Sequence, residues 1–196
     1  MTARRLARLG GLVLALLAWL LLLLPSAHAE DMSVPASVQA KLLTRVLLFD
    51  RNQPERAPGD IVVLLLVRAG DAESTSAALH MQRALAEIGT MRGALLRSQR
   101  LDFTDAAAVV REVRQRGASV VYFTPSLGPA VPDIAAALAG TSVLSFAAVE
   151  SYVPAGAVLG VDVVSGKPRL SVNLRQARAQ KVDFSADILA LMKVYR

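Results

Sequence analysis

The segment from Ile61 to Val67 is an uninterrupted run of seven aliphatic residues. A strand of this composition has no polar side to turn towards water, so both of its faces must be covered. Ser119 to Phe123 and Val143 to Phe146 are two further apolar runs of strand length. Strands buried on both faces are typical of parallel sheets with helices on either side, and the chain predicts this architecture.

Segments with helical periodicity lie between these strands. Their alternation with the strands favours right-handed crossover connections and hence parallel pairing. The predicted elements are, in chain order, a helix over Val38 to Phe49, the strand Ile61 to Val67, a helix over Ser76 to Ile88, a short strand at Leu95 and Leu96, a helix capped by Thr104 that runs to Arg116, the strand Ser119 to Phe123, a loop and helix over Ser126 to Ala139, and the strand Val143 to Phe146.

The end of the chain departs from this alternation. Ala157 to Val164 and Arg169 to Val172 have strand composition and flank the turn residues Ser165-Gly166-Lys167-Pro168, which favours a β-hairpin. A closing helix is predicted after the cap Ser185. We therefore predict an α/β fold: a single three-layer domain over residues 30–196, with a mostly parallel sheet, helices on both faces and a C-terminal antiparallel hairpin edge.

The first 29 residues predict a secretory signal peptide. Three arginines precede an apolar run from Leu12 to Leu24, and the small residues Ala27 and Ala29 predict cleavage before Glu30. An uncleaved membrane anchor is the alternative, but the run is shorter than the roughly 20 residues that cross a bilayer. We expect an exported protein with no stable membrane insertion after cleavage.

The chain has no cysteine, and it carries 22 basic and 16 acidic residues. Without cysteine, disulfides, thiolate catalysis and zinc–thiolate sites are excluded. The predicted leader holds three arginines and no acid, so the mature chain has 19 basic residues against 16 acidic ones, a net charge of +3. Because this small excess is not clustered, we expect no nucleic-acid partner.

The mature chain offers few groups for catalysis. His80 is its single histidine and falls on the polar stripe of a predicted helix, where a solvated position is expected. The carboxylates Asp102 with Asp105 and Asp183 with Asp187 stand at predicted helix starts, where acidic side chains offset the helix dipole. No nucleotide-loop, hydrolase or metalloprotease motif occurs, so we expect no enzyme activity, no cofactor and no bound metal.

Open α/β sheets bind ligands or partners in the crevice beyond the carboxyl ends of their strands. Residues that follow the predicted strands are therefore candidates for a ligand or partner crevice: Arg68, Asp71, Thr124, Ser126, Gly128 and Glu150. Ser126 and Gly128, near a helix start, could present backbone N–H groups to an anion. Capping and turn formation are the alternative role for these two residues.

The closing block of the chain carries a recognisable pattern. A glycine-containing strand pair runs into an Asn-Leu-x-x-Ala motif, formed by Asn173, Leu174 and Ala177, and Phe184 and Ser185 follow it. Together with an opening helix that ends in an aromatic residue and the apolar strand after it, this layout resembles the YfiR-like family of periplasmic proteins. Asn173, Leu174, Ala177 and Ser185 are interpreted as structural, with Asn173 as a helix cap.

The resemblance implies a periplasmic α/β domain that binds the periplasmic part of an inner-membrane diguanylate cyclase and holds that enzyme inactive, in cyclic-di-GMP signalling and biofilm control. A sensor kinase is the alternative membrane partner, and a homodimer is compatible with the layout. Family members also resemble half of a periplasmic substrate-binding protein, so a small-ligand-binding component of a transporter or sensor kinase system is the second hypothesis. Some members are tuned by redox state through cysteines, which this chain lacks.

Overall fold

The structure, a computed structural model, describes residues 32–196. The strands of this part of the chain are β1 (Ile61–Arg68), β2 (Thr90–Met91), β3 (Ala94–Phe103), β4 (Val120–Phe123), β5 (Leu144–Ala147), β6 (Leu159–Val164), β7 (Lys167–Asn173) and β8 (Lys193–Tyr195). They form one mixed sheet in the order β2-β3-β1-β4-β5-β6-β7-β8. The predicted fold class is confirmed. The predicted signal peptide and its cleavage site before Glu30 lie outside the described residues.

Helices cover both faces of this sheet. The α-helices are α1 (Ala36–Leu47), α2 (Gln53–Arg56), α3 (Ala72–Ile88), α4 (Ala106–Arg116), α5 (Val131–Leu138), α6 (Tyr152–Ala155), α7 (Leu174–Ala179) and α8 (Ala186–Leu189), and a 3₁₀ turn spans Gly128–Ala130. Within residues 32–196, no helix combines the length and the apolarity that crossing a bilayer requires.

Most of the strands pair in parallel. β1 lies between β3 and β4, and the parallel ladder continues through β5 to β6. The antiparallel pairings in the described sheet are β2 with β3 and β6 with β7. Ser165 and Gly166 join β6 to β7 with positive φ values of 51° and 73°, as a two-residue hairpin turn of type I′ requires. The predicted C-terminal hairpin is therefore confirmed, with a turn shorter than predicted, because Lys167 and Pro168 belong to β7.

Alternate residues of β1 face two separate cores, which explains its uninterrupted apolar sequence. Val63 and Leu65 pack in the core beneath α1 and α3, whereas Leu64 and Leu66 pack in the core beneath α4 and α5. All four side chains are at most 1% exposed. Full burial of one such aliphatic side chain contributes about 1.5–3 kcal/mol, so a helix layer on each face stabilises the strand.

The strand predicted at Leu95 and Leu96 is longer in the structure, because β3 runs from Ala94 to Phe103. Its neighbours are β1 on one side and the two-residue β2 on the other. Most of its side chains are therefore exposed or half-buried. A strand in this position tolerates polar residues, so it lacks the continuous apolar run that marks β1.

Two helices have an aspartate as their N-cap residue where another residue was predicted to begin the helix. α3 starts at Ala72, before the predicted Ser76, and Asp71 Oδ1 accepts a hydrogen bond of 2.7 Å from the backbone N–H of Ser74. The cap of α4 is Asp105 and not the predicted Thr104, because Asp105 Oδ1 accepts from the N–H of Ala108 at 2.7 Å. A carboxylate in this place also offsets the helix dipole.

The predicted closing helix is wrong beyond its first turn. α8 ends at Leu189, and the chain then forms β8, which pairs in parallel with β7. The register places Lys193 beside Ser171 and Tyr195 beside Asn173. β8 therefore extends the sheet one strand beyond the hairpin and pairs backbone groups that an edge strand would leave open.

Candidate functional site

The strand order places a crevice at the carboxyl end of β1. The chain passes from β1 to β3 on one side and returns to β4 on the other, so the connections diverge at this point, where open α/β sheets bind ligands. The crevice contains a cavity of about 330 Å³, which is near the lower end of the range for small-molecule pockets, about 300–1,000 Å³. Its lining residues are Arg68, Ala69, Phe103, Ser126, Leu127, Pro129 and Ala130.

Arg68 is the last residue of β1, and it lines this cavity. Its Nη1 donates a hydrogen bond of 2.9 Å to the backbone carbonyl of Ser126, in the loop after β4. Ser126 has a φ of 68°, a left-handed conformation that residues other than glycine seldom adopt. The bond fixes the guanidinium beside the apolar wall, and a guanidinium has further N–H donors for a carboxylate or a carbonyl group.

A buried hydroxyl pair supports Arg68 from below. The backbone N–H of Arg68 donates to Ser74 Oγ at 2.8 Å, and Ser74 Oγ lies 2.5 Å from Thr124 Oγ1. Thr124 in turn donates to the carbonyl of Leu66 at 2.7 Å, and both hydroxyl residues are fully buried. Because Asp71 caps α3 through Ser74, these contacts join β1, α3 and β4 at the base of the crevice. Asp71 and Thr124 thus hold the crevice in shape and do not line the cavity.

The structure brings together two of the predicted crevice residues, Arg68 and Ser126, as lining of the cavity. Gly128 opens the 3₁₀ turn whose next residue, Pro129, lines it. Phe103 was not predicted as part of the crevice, because the predicted strand ended at Leu96. The alternation of Leu101 and Phe103 with polar residues would have been the signal for a longer strand.

Glu150 lies elsewhere, in the loop after β5. Its Oε1 accepts hydrogen bonds from Ser171 Oγ at 3.2 Å, Lys193 Nζ at 3.0 Å and the Tyr195 hydroxyl at 2.5 Å. The ammonium group of Lys193 also stands 4.8 Å from the centre of the Tyr195 ring. Glu150 therefore connects the β5 loop to β7 and β8, and it is not part of the cavity beside Arg68.

These contacts shift the ionisation of the cluster. Partial burial on its own would raise the pKa of Glu150, but the hydrogen bonds from Tyr195 and Lys193 and the lysine charge together hold it below its ordinary value. The pKa of Lys193 is raised by its contacts with Tyr195 and Glu150. Burial and the hydrogen bond to Glu150 raise the pKa of Tyr195. At neutral pH the cluster is a carboxylate with three donors, namely one ammonium group and two hydroxyls.

The Asn-Leu-x-x-Ala motif forms the start of α7. Asn173 Oδ1 accepts from the N–H of Gln176 at 3.0 Å, and its Nδ2 donates to the carbonyl of Val153 at 2.9 Å. Ala177 is buried and Leu174 is half-buried. Ser185 stands before α8, where its backbone N–H donates to Phe49 O at 3.0 Å while its side chain makes no capping bond. These residues hold the closing segment against the sheet.

The histidine and the aspartates that were weighed as catalytic candidates lie at the surface or cap a helix. His80 is exposed on α3. Asp105 caps α4, while Asp102 pairs with Arg100 and Asp183 pairs with Arg51 at the surface. Among residues 32–196, no group of three or more histidine, aspartate or glutamate side chains could hold a metal ion.

A protein-family model described as YfiR/HmsC-like (DUF4154) matches residues 36–193 of the chain. The match begins with α1 and ends at the first residue of β8, so it includes the crevice, Glu150 and α7 but not Tyr195. No curated protein matches the chain at a significant level.

Solved structures share the fold at low sequence identity. A conserved domain protein from Vibrio cholerae O1 biovar El Tor is 13% identical, with a TM-score of 0.61 over 83% of this chain and 60% of that one. The ABC domain from Streptococcus pneumoniae, solved in complex with L-Trp, is 10% identical, with a TM-score of 0.60 over 82% and 62% of the two chains.

A third structure is the ligand-free, open form of CD0873, a substrate-binding protein with adhesive properties from Clostridium difficile. It is 13% identical, with a TM-score of 0.54 over 74% of this chain and 57% of that one. The chain thus spans about 57–62% of the length of the three structures. The likeness is one of fold alone, that of an α/β domain built on a central sheet.

Proposed function

The chain belongs to the YfiR/HmsC-like family of periplasmic regulatory proteins, and from this premise we propose that it represses an inner-membrane diguanylate cyclase by direct protein contact. The contact is made with the periplasmic part of the cyclase, and its result is lower synthesis of cyclic-di-GMP. The family match over residues 36–193 is the observation that carries this proposal. The predicted export signal supports it, because it directs the chain to the compartment where that part of the cyclase lies.

The proposed action is binding, with no chemistry of its own. The family is not a known enzyme family. His80, the one histidine of the predicted mature chain, lies exposed on α3. Regulation by contact needs a complementary surface and no reactive group, which agrees with these features.

The crevice beside Arg68 is the proposed contact surface. It combines an arginine anchored on Ser126 O with apolar walls from Phe103 and Leu127. Interfaces concentrate their binding energy in such places, where an arginine or aromatic side chain meets a pocket that excludes water. A partner would insert an apolar side chain next to a carbonyl or carboxylate oxygen that accepts from Arg68.

A pull-down from inner membranes tests this function. The immobilised mature protein is expected to retain a membrane protein that has a periplasmic segment and a cytoplasmic cyclase domain. An Arg68→Ala variant should retain less of that protein, whereas Arg111→Ala, on the exposed side of α4, should retain as much as the wild type. Recovery of no cyclase and no sensor kinase would refute regulation by contact.

Small-ligand binding is the second candidate function, and a specific observation favours it. The cavity beside Arg68 has the volume of a small-molecule pocket, and two of the similar solved structures are a complex with L-Trp and a substrate-binding protein. A ligand that binds only the native state raises its thermal stability. A thermal-shift screen of amino acids and other small carboxylates should then give hits that Arg68→Ala abolishes, and an entirely negative screen would remove this candidate.

A further inference from the structure

A second cavity, of about 360 Å³, lies where α7 begins. Its lining residues are Leu174, Arg175, Arg178 and Arg196, none of which lines the crevice beside Arg68. All three arginines are exposed to solvent. Three cationic side chains therefore surround a concave surface that has one apolar residue in its lining.

The fold itself brings these arginines together. Asn173 caps α7, so Arg175 and Arg178 stand one helical turn apart on the same side of the helix. Ala177, between them in sequence, is buried against the sheet. The parallel pairing of β7 with β8 places Tyr195 beside Asn173, and the next residue, Arg196, consequently emerges beside the first turn of α7.

No carboxylate of the described chain forms an ion pair with the arginines of this cluster. Other arginines pair with carboxylates, as Arg51 does with Asp183 and Arg116 does with Glu112. Over residues 32–196, none of the ion pairs or side-chain hydrogen bonds includes Arg175, Arg178 or Arg196. Like charges on one cavity repel each other, and a bound anion would replace this repulsion with charge-assisted hydrogen bonds.

We propose that this cavity binds a phosphate group. A phosphomonoester offers three acceptor oxygens and a charge of about −1.5 to −2 at neutral pH, which matches three guanidinium groups better than the two oxygens and single charge of a carboxylate. The planar guanidinium fork is suited to paired hydrogen bonds with phosphate oxygens. The phosphate belongs either to a soluble phosphomonoester or to a lipid whose headgroup is itself a phosphomonoester. The site is independent of the regulatory contact proposed above.

Titration calorimetry of the mature protein with inorganic phosphate, at constant ionic strength, tests the site. The wild type should bind phosphate, and the double variant R175Q/R178Q should bind it about tenfold more weakly or not at all. The matched control is R111Q, an exposed arginine on α4, which should bind like the wild type. A wild type without phosphate binding, or a double variant that binds as well as the wild type, would overturn the proposal.

Two further arms identify the source of the phosphate. Glycerol 3-phosphate that competes with inorganic phosphate indicates a soluble ligand, whereas co-sedimentation with phosphatidic acid vesicles but not with phosphatidylcholine vesicles indicates a lipid headgroup. In both arms R175Q/R178Q should lose the effect, and failure of both arms in the wild type would count against the site. If the double variant loses its native circular dichroism, R175Q and R178Q are each tested alone by the same criterion.

Discussion

The hydroxyl of Tyr195 donates a hydrogen bond of 2.5 Å to Oε1 of Glu150. Glu150 follows β5, whereas Tyr195 is the last residue of β8, so the bond reaches across β6 and β7. Ser171 and Lys193 donate to the same oxygen. The short strand β8 is therefore held by a side-chain cluster in addition to its backbone pairing with β7.

Replacement of Tyr195 with phenylalanine should loosen this strand. We expect Y195F to lower the free energy of unfolding by about 1 kcal/mol, which is less than is usual for a bond to a charged group because the cluster is partly open to water. Urea unfolding measures this change. The exposed Lys193 is a suitable comparison, since K193Q should cost less than Y195F. Equal stability of Y195F and the wild type would mean that the bond contributes nothing.

The same cluster predicts a dependence of stability on pH. The pKa of Glu150 lies below its ordinary value of 4.5 in the folded protein, so the folded state binds the proton more weakly than the unfolded state. The stabilisation is complete above the unfolded-state pKa and is lost as pH falls through the folded-state pKa. The difference in unfolding free energy between the wild type and Glu150→Gln should therefore shrink from neutral pH towards acid, and a constant difference would contradict the assignment.

Tyr122 and Gln39 form a buried hydrogen-bonded pair in the core, and its loss should lower the free energy of unfolding by more than the loss of the Tyr195 bond. Tyr122 donates to Gln39 Oε1 at 3.0 Å, and Gln39 Nε2 donates to the carbonyl of Val34 at 2.8 Å. Burial raises the pKa of Tyr122 above its ordinary value, so the hydroxyl stays a donor. Tyr122→Phe leaves a buried acceptor without its donor and should cost about 1–3 kcal/mol in chemical unfolding.

The double variant Tyr122→Phe with Gln39→Leu provides the control for this pair. Its cost should be smaller than the sum of the two single costs, because the coupled bond is lost only once. Strict additivity would show that the two side chains are not coupled.

Gly156 lies in a place where a side chain does not fit. Its φ is 136°, and a Cβ at this position would stand 2.5 Å from the Cβ of Ala135. We expect Gly156→Ala to lower the free energy of unfolding by about 1–3 kcal/mol, through overpacking and backbone strain. Gly59→Ala is the matched control, since a Cβ there would have no neighbour within 4 Å and the φ of Gly59 is not in the left-handed region. Comparable thermal midpoints for the two variants would refute this packing argument.

The elements that the sequence predicted well are those whose composition follows from burial. β1 and β4 are apolar because both of their faces lie beneath helices, and no other placement satisfies such runs. The hairpin was predicted because turn residues separate two segments of strand composition, although the structure confines the turn to Ser165 and Gly166.

The elements that were predicted wrongly lie at or next to the edges of the sheet. β3 has a single long neighbour and therefore carries polar residues, which conceal it in a sequence. β8 is defined by its pairing with β7, a contact between distant segments that the residues Lys193 to Tyr195 do not encode on their own. Tertiary contacts override local propensity in both cases.

The sequence likewise predicted the place of some residues of the candidate site and not of others. The position of Arg68 and Ser126 at the crevice follows from the rule that ligands lie beyond the carboxyl ends of parallel strands. The positions of Thr124 and Glu150 do not follow from it, because each side chain is committed to hydrogen bonds with residues far away in the sequence. The arginine cavity also depends on the register of β8, so the sequence alone could not reveal it.

Arg68 should matter for partner binding more than for stability. Truncation of an arginine that anchors an interface commonly weakens binding by about tenfold or more. We therefore expect Arg68→Ala to weaken binding of the cyclase periplasmic segment in surface plasmon resonance, with a thermal midpoint close to that of the wild type. Arg111→Ala should leave the affinity unchanged, and equal affinities of all three proteins would place the contact on another surface.

The cellular concentration of cyclic-di-GMP tests the central claim most directly. Deletion of the gene should raise this concentration, and the full chain supplied on a plasmid should return it to the original level. A version without residues 1–29, which lacks the predicted export signal, should fail to do so although it is produced. An unchanged concentration after deletion, or full restoration by the version without the signal, would contradict repression of a cyclase from the periplasm.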